Sequence, residues 1–375
     1  MQSFTNHVSR IATLPEDERR EIEDVAVRYA FRANDYYLSL IDWHDPDDPI
    51  RRLIVPSVAE MEEWGQADPS DEKNYTILPG LEHKYRSTVL LLVSGVCAGI
   101  CRFCFRKRIF QGREQEVLRD LDGAVAYIAG HPEVSNVLLT GGDPLMLSTN
   151  RLERIVGALR GIEHVKIVRL GSKVPAFLPS RILDDEALAP MLGRYSLPDA
   201  RIYIMTHFNH PRELTADALA AADRLLRNGI VLCNQTPMVR GVNDHPDTLA
   251  ELLGQLSFAG IAPYYVFQCR PSMGNRTYAV PIEEGYEIFE QAKAQVSGLA
   301  KRARFVMSHR SGKIEVVGLA DDRVYFRYLR AADETDSGRF LVARRNPDAF
   351  WFDDYEEFTR NASPMETAYS AHGPE

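Results

Sequence analysis

From about residue 85 to about residue 310, apolar runs of β-type residues alternate with amphipathic stretches of helical period, and this alternation constrains the fold more than any other feature of the chain. The β-type runs are Val89 to Val93, Asn136 to Leu139, Val165 to Leu170, Arg201 to Met205, Ile230 to Asn234 and Tyr264 to Gln268. Between them lie Asp120 to Gly130, Arg151 to Leu159, Thr215 to Asn228 and Pro246 to Gly260, each closing near a Gly or Asn suited to a helix C-cap. Strand and helix in turn build right-handed βαβ units. The chain is therefore α/β, with a parallel sheet that either curls toward a partial barrel or stays open and doubly wound. Both arrangements gather ligands at the carboxyl ends of the strands.

The flanks differ in character. Residues from about 15 to 70 are rich in Glu, Asp, Arg and Ala, and Pro15-Glu-Asp-Glu-Arg-Arg20 is suited to open a helix, which predicts a helical region over 1–80. After the core at 81–310, Gly312 to Leu319, Val324 to Leu329 and Gly338 to Ala343 read as short strands of a β-rich extension over 311–375. The small polar residues from Asn361 to Glu375 read as a frayed tail.

With 375 residues, 45% hydrophobic, the chain can bury a large core. Its apolar runs, such as Thr88 to Ser94, fall well short of the roughly 18–20 residues of a membrane span, and its first residues lack the pattern of a secretory leader. A net charge of −9 argues against broad electrostatic binding to nucleic acid. Three of the five cysteines fall within eight residues, a spacing foreign to a disulfide framework, so a reducing cytoplasm and a metal site are expected.

Those three are Cys97, Cys101 and Cys104, in a C-x3-C-x2-C pattern just after the first β-type run. Thiolates select zinc or iron–sulfur clusters, and three on one short loop can hold three corners of a cubane with the fourth iron open. Zinc is the alternative, although a structural zinc site is normally closed by four ligands, and His83 and His131 stand at no finger-like spacing. Asn136-Val-Leu-Leu139 runs into Thr140-Gly-Gly-Asp-Pro144, where Gly141 and Gly142 permit a sharp turn or a close approach to a ligand and Asp143 can accept from an ammonium. Read alone, such a strand-ending glycine pair is most often a turn.

The cysteine pattern with an aromatic before its last Cys, followed by this glycine motif, resembles the radical S-adenosylmethionine (SAM) superfamily. The resemblance narrows to the lysine 2,3-aminomutase family through Cys101-Arg-Phe-Cys-Phe-Arg-Lys-Arg108, Thr140 to Leu145, Arg169-Leu-Gly-Ser-Lys-Val-Pro175, Pro179 to Ile182, His207 to Pro211, Asn234-Gln235 with Gly241 to Asp244, Pro263-Tyr-Tyr265, Gln268-Cys269 and Gly312-Lys-Ile314. It covers roughly residues 80 to 317 and implies a partial (βα)6 TIM-like barrel. It further implies a [4Fe–4S] cluster on Cys97, Cys101 and Cys104, SAM held by Gly141, Gly142 and Asp143, and pyridoxal 5′-phosphate (PLP) as a second cofactor.

By the same resemblance Lys313 is the lysine that binds PLP covalently, a role that needs a partly desolvated amine. A lysine in a Ser-Gly-Lys turn is otherwise most often a solvated surface residue, and the loop Ser308-His-Arg-Ser-Gly-Lys313 is about two residues shorter than the family's, with one glycine before the lysine. Tyr85, Asn234 and Gln235 match residues around PLP. Where the family has a phosphate-contacting arginine, this chain has Thr88, and Arg86 is the candidate substitute. Arg106 matches the arginine that clamps the substrate α-carboxylate.

The lysine enzymes hold the distal ammonium of their substrate with two aspartates. Here those places hold Arg270 and Ser308 or His309, and a cation beside a buried ammonium is repulsive. The resemblance therefore implies a 2,3-aminomutase acting on an amino acid with an anionic or neutral side chain, such as glutamate, with Arg270 or Arg276 facing a distal carboxylate. Its implied partners are the small amino acid and a reductant such as flavodoxin or ferredoxin; self-association into a homo-oligomer stays open. Two other readings remain at this point: a PLP-independent radical SAM maturase, and a non-catalytic iron–sulfur or zinc interaction protein.

Overall fold

The computed structural model describes residues 3–111, 116–356 and 358–360, so the tail expected from Asn361 onward lies outside them. Two short strands, β1 (Phe4–Thr5) and β2 (Ala33–Asn34), pair antiparallel and bracket a helix at Glu16–Arg28, which opens after Pro15 as the sequence predicts. The rest of the N-terminal region is held in short helical turns at Asp35–Leu38, Pro49–Ile54 and Glu72–Tyr75.

All other strands form one sheet in chain order: β3 (Thr76–Leu78), β4 (Leu81–Tyr85), β5 (Thr88–Ser94), β6 (Asn136–Gly141), β7 (Ile167–Ser172), β8 (Ile202–Thr206), β9 (Val231–Pro237), β10 (Ala262–Phe267), β11 (Arg304–His309), β12 (Gly312–Ala320), β13 (Arg323–Ala331), β14 (Phe340–Arg344) and β15 (Thr359–Arg360). From β5 to β11 each neighbouring pair is parallel. The chain is thus mixed α/β with a large parallel sheet, flanked by antiparallel strands at both ends. The six expected strands are all present, and a seventh parallel strand, β11, follows them.

The parallel strands explain themselves by burial on both faces. Val89, Leu91, Val137, Leu139, Val168, Leu170, Ile202 and Ile204 are fully buried under the helices. The alternate positions Leu138, Arg169, Tyr203, Cys233 and Gln235 are half-buried on the opposite face. The covering helices start on side-chain caps: Asp120 accepts from Gly123 N at 2.8 Å, Ser148 from Arg151 N at 3.4 Å and Thr215 from Ala218 N at 3.1 Å. Val8, Ile22, Tyr37, Ile50 and Leu53 of the N-terminal region share one apolar core with β5–β9 and their helices, whereas β11–β14 close a second core with Leu249, Leu253 and Phe289.

Side chains tie the first strands of the sheet to its later ones. Lys84 Nζ donates to His309 O at 2.6 Å, Tyr75 Oη to Arg310 O at 3.0 Å, and Arg330 on β13 reaches Thr88 on β5. The half-buried face is thereby lined from both directions. Among the described residues no helix is long and apolar enough to cross a membrane.

Candidate active site

Cys97, Cys101 and Cys104 occupy the loop that leaves β5, all half-buried and in no disulfide. Burial pushes the Cys101 thiol up to about 12 and raises the other two, so binding a metal there must release protons. Among the described residues no three His, Cys, Asp or Glu side chains converge on a single-ion geometry. A cubane is held at separate corners, so three thiolates spread along one loop suit it.

The glycine motif at the end of β6 is fitted to that loop by contact. A Cβ on Gly142 would stand 2.7 Å from Val96 O and 2.8 Å from Val96 N, and Gly141 has a φ of +105° with its Cβ position 2.6 Å from Ser94 O. Gly142 N donates to Ser94 O at 2.6 Å and Asp143 N to Val96 O at 2.9 Å. Only glycine lets these two strand ends touch. Asp143 departs from expectation. Its carboxylate accepts from Ser172 Oγ (2.8 Å), Leu145 N (2.9 Å), Lys173 N (2.8 Å) and Val174 N (3.2 Å), so its lone pairs fasten β6 to β7 instead of facing a ligand ammonium.

Asn234 is a second such strut. Its amide holds Phe208 O (2.9 Å), Thr236 Oγ1 (2.8 Å), Phe208 N (2.8 Å) and Thr206 Oγ1 (2.8 Å), which uses it up inside the strand ends rather than in a cofactor cavity. Gln235 stands on the other face, in register with Tyr265.

That face carries Lys313. Its Nζ lies 4.8 Å and 4.4 Å from the ring centroids of Tyr265 and Phe267 and donates to Ser308 Oγ at 3.1 Å. Burial, reinforced by Arg270, Arg169, Lys84 and Arg330, holds its ammonium well below the usual lysine range. Lys313 is therefore an interior amine, not a surface lysine. Tyr85 joins the same cluster: Arg330 stacks 4.7 Å and Lys84 5.7 Å from its ring, and burial pushes its phenol up to about 12. Arg86 does not. It is 66% exposed and pairs with Glu334 at 3.3 Å, so it cannot substitute for an arginine at Thr88.

Arg270 spans from this cluster toward the cysteine loop, with its guanidinium 3.6 Å from the Phe105 ring centroid and a hydrogen bond to Ser70 Oγ. No carboxylate lies within ion-pair distance of it among the described residues. Arg276 is elsewhere, 3.8 Å from the Phe350 ring centroid and 3.8 Å from Glu62, which removes it as a pocket cation. Arg106 is buried beside Arg270, but its Nε and Nη2 already hold Glu72 at 3.0 and 2.6 Å while Nη1 reaches Thr140 Oγ1 at 3.2 Å. Against the cost of burial, Arg106 and Arg108 keep Glu72 at about 2; burial and the charge of Glu72 push neighbouring Glu82 up to about 8.

Residues 91–253 match the radical SAM superfamily. A protein of Aquifex aeolicus (strain VF5) named "Putative L-lysine 2,3-aminomutase" is 53% identical over 348 residues, 92% of this chain and 93% of the relative. The L-lysine 2,3-aminomutase of Clostridium subterminale is 40% identical over 267 residues, 70% of this chain and 62% of that enzyme. The glutamate 2,3-aminomutase of Clostridioides difficile (strain 630) is 34% identical over 308 residues, 81% and 71% of the two chains. This chain belongs to the lysine 2,3-aminomutase family.

Membership makes it a radical SAM isomerase, with the [4Fe–4S] cluster and SAM that this superfamily uses. As a lysine 2,3-aminomutase family member the chain carries, around Lys313 and Arg106, charged residues that the sequence alone did not pick out. Arg330, Arg169, Lys84, Glu72 and Glu82 arrive from β13, β7, β4 and the N-terminal region. Only Arg169 lay inside a family-like string, and none carried a local signal of its place there.

Proposed function

We propose that the chain is a PLP-dependent 2,3-aminomutase for an α-amino acid with an anionic side chain, glutamate being the nearest candidate. The observation that carries this reading is Arg270: a largely buried guanidinium with no carboxylate partner among the described residues, on the same face as Lys313 and beside Arg106. A distal carboxylate would supply the missing charge, and a distal ammonium would meet repulsion. We read the face itself as the inside of a partial barrel, because side chains link β4 and β5 to β11 and β13.

The donor set fits the two cofactors. Three thiols on one loop suit the cluster, with SAM nearby at the strand ends that Gly141 and Gly142 bring together. A depressed-pKa amine walled by Tyr265 and Phe267, amid four unneutralised cations, suits an anionic aromatic aldehyde. When bound, the cluster and SAM supply a carbon radical able to remove an unactivated hydrogen, and PLP supplies a conjugated ring to carry the migrating nitrogen. Lys313 offers the amine, Tyr85 and Tyr265 bound the ring space, and Arg106 offers its free Nη hydrogens to the α-carboxylate while Glu72 holds the rest of its fork. Arg270 fixes the far end. One-electron delivery falls to a reductant such as flavodoxin or ferredoxin.

The test is a specificity exchange. With cluster, SAM, PLP and reductant supplied, kcat/KM for glutamate is expected to fall about a hundredfold in Arg270→Gln, the order for a lost charged partner. In Arg270→Asp the preference is expected to move toward lysine. Unchanged glutamate turnover in both variants would overturn the reading.

A further inference from the structure

We propose that Arg330 is the residue that anchors the PLP phosphate in this chain, from a strand of the C-terminal extension and with Arg169 facing it. The inference rests on the reading of Lys313 as the cofactor lysine and deepens it.

Arg330 stands directly opposite Lys313 in the antiparallel ladder of β12 and β13. Residues so paired project from the same face with neighbouring Cβ atoms. The pairing depends on a bulge: Lys313 opposes Arg330, yet the next residue, Ile314, opposes Tyr328, leaving Leu329 as an extra residue on β13. With strict alternation Arg330 would share the side of Phe326 and Tyr328, which pack into the second apolar core with Ile314 and Val316. The extra residue turns it to the side of Lys313 instead. Bulges recur where a side chain must be re-aimed beside a functional site.

The guanidinium is held in place but not neutralised. Nη1 donates to Thr88 Oγ1 and Nη2 to Ser87 Oγ, both at 2.9 Å, and its carbon lies 4.7 Å from the Tyr85 ring centroid. Two hydroxyls orient a cation without cancelling its charge. Thr88 is in register with Asn136 on β6, and Asn136 Oδ1 accepts from Arg169 Nε at 2.9 Å. Arg169, too, has a neutral partner and no carboxylate within ion-pair distance among the described residues, and the nearby charge of Arg330 contributes to lowering it. Two arginines thus approach each other across one strand, each fixed by neutral groups, with donors to spare. That arrangement suits a dianionic phosphate, which accepts forked hydrogen bonds from several guanidinium groups at once. Arg270 lies against Phe105 and bonds Ser70, toward Glu72 and Arg106, and so faces the cysteine loop.

The experiment is borohydride fixation on the full-length protein with either PLP or pyridoxal, which lacks the phosphate, read as the fraction of Lys313 peptide carrying the pyridoxyl group by mass spectrometry. Half-saturation by PLP is expected to rise about tenfold or more in Arg330→Gln, the usual effect of removing a charge-assisted hydrogen bond, with pyridoxal labelling unchanged. Thr88→Arg placed in the Arg330→Gln background is expected to recover PLP binding, because it returns a guanidinium to the position that Arg330 reaches. An unaltered PLP half-saturation in Arg330→Gln would overturn the inference, as would equal losses for PLP and pyridoxal, which mark a folding role. Wild-type protein that takes no label on Lys313 would overturn the cofactor reading itself, and this inference with it.

Discussion

Lys313 and Arg330 face each other across β12 and β13, and the extra residue Leu329 separates this pair from the core-facing pair Ile314 and Tyr328. The two positive groups are forced together on a face that also holds Arg169, Arg270 and Lys84. Burial and this crowding together hold the Lys313 ammonium well below the usual lysine range.

That lowering has a measurable stability consequence. The unfolded chain protonates Lys313 below about pH 10.4, whereas the folded chain does so only at much lower pH. Between those values the unfolded state binds one more proton, so this lysine makes stability rise with pH, by about 1.4 kcal/mol per unit at most. Denaturant unfolding of the apo protein from pH 7.5 to 9.5 should show wild type gaining on Lys313→Met as pH increases. Parallel curves would mean that the amine is solvated and charged.

Glu72 makes the opposite case. Its folded pKa of about 2 lies below the unfolded value, so its contribution is present at neutral pH and is lost as pH falls toward 2. Glu72→Gln should cost about 3–5 kcal/mol at pH 7, because it strips Arg106 and Arg108 of a shared buried carboxylate. The gap should shrink as pH falls from about 4.5 toward 2, and the variant and wild type should converge only below about pH 2. Urea titrations at both pH values give the comparison.

How much of this was legible in the sequence depended on the range of the contact involved. The six strands from Val89 to Gln268 announced themselves through local composition, and the cysteine loop through spacing. β11 did not: Arg304-Phe-Val-Met-Ser-His309 abuts the extension, and its parallel partner β10 lies across the helix Ile282–Ala294. Asp143 was a candidate ligand group by its place in the glycine motif, and Asn234 by the family resemblance. Their hydrogen bonds go to Ser172 and Phe208, which sequence patterning could not pair with them. Arg330 was invisible for a further reason, since a bulge at Leu329 carries no Gly or Pro to mark it. Arg270 and Arg276 stood as equal candidates for a distal carboxylate, and Arg86 as a candidate for the phosphate; Glu62 beside Arg276 and Glu334 beside Arg86 separate them from Arg270.

The contact between the glycine motif and the cysteine loop predicts a sharp contrast between two alanine substitutions. Gly142→Ala drives a methyl into Val96 backbone atoms, whereas Gly298→Ala meets nothing within 4 Å. Overpacking of this kind costs about 1–3 kcal/mol and should shift the loop bearing Cys97. Iron bound per chain after anaerobic reconstitution should therefore drop at least severalfold in Gly142→Ala and stay at the wild-type level in Gly298→Ala. Equal iron content in the two variants would separate the glycine pair from the cluster.

The central claim is that a family named for lysine has here a pocket built for an anionic side chain. Carbon-13-labelled glutamate and lysine, offered together to the reconstituted protein with SAM, PLP and reductant and followed by NMR, test it most directly. The account predicts that β-glutamate appears while lysine is left unconverted. Accumulation of β-lysine with glutamate untouched would contradict it, and would mean that Arg270 turns away from the substrate.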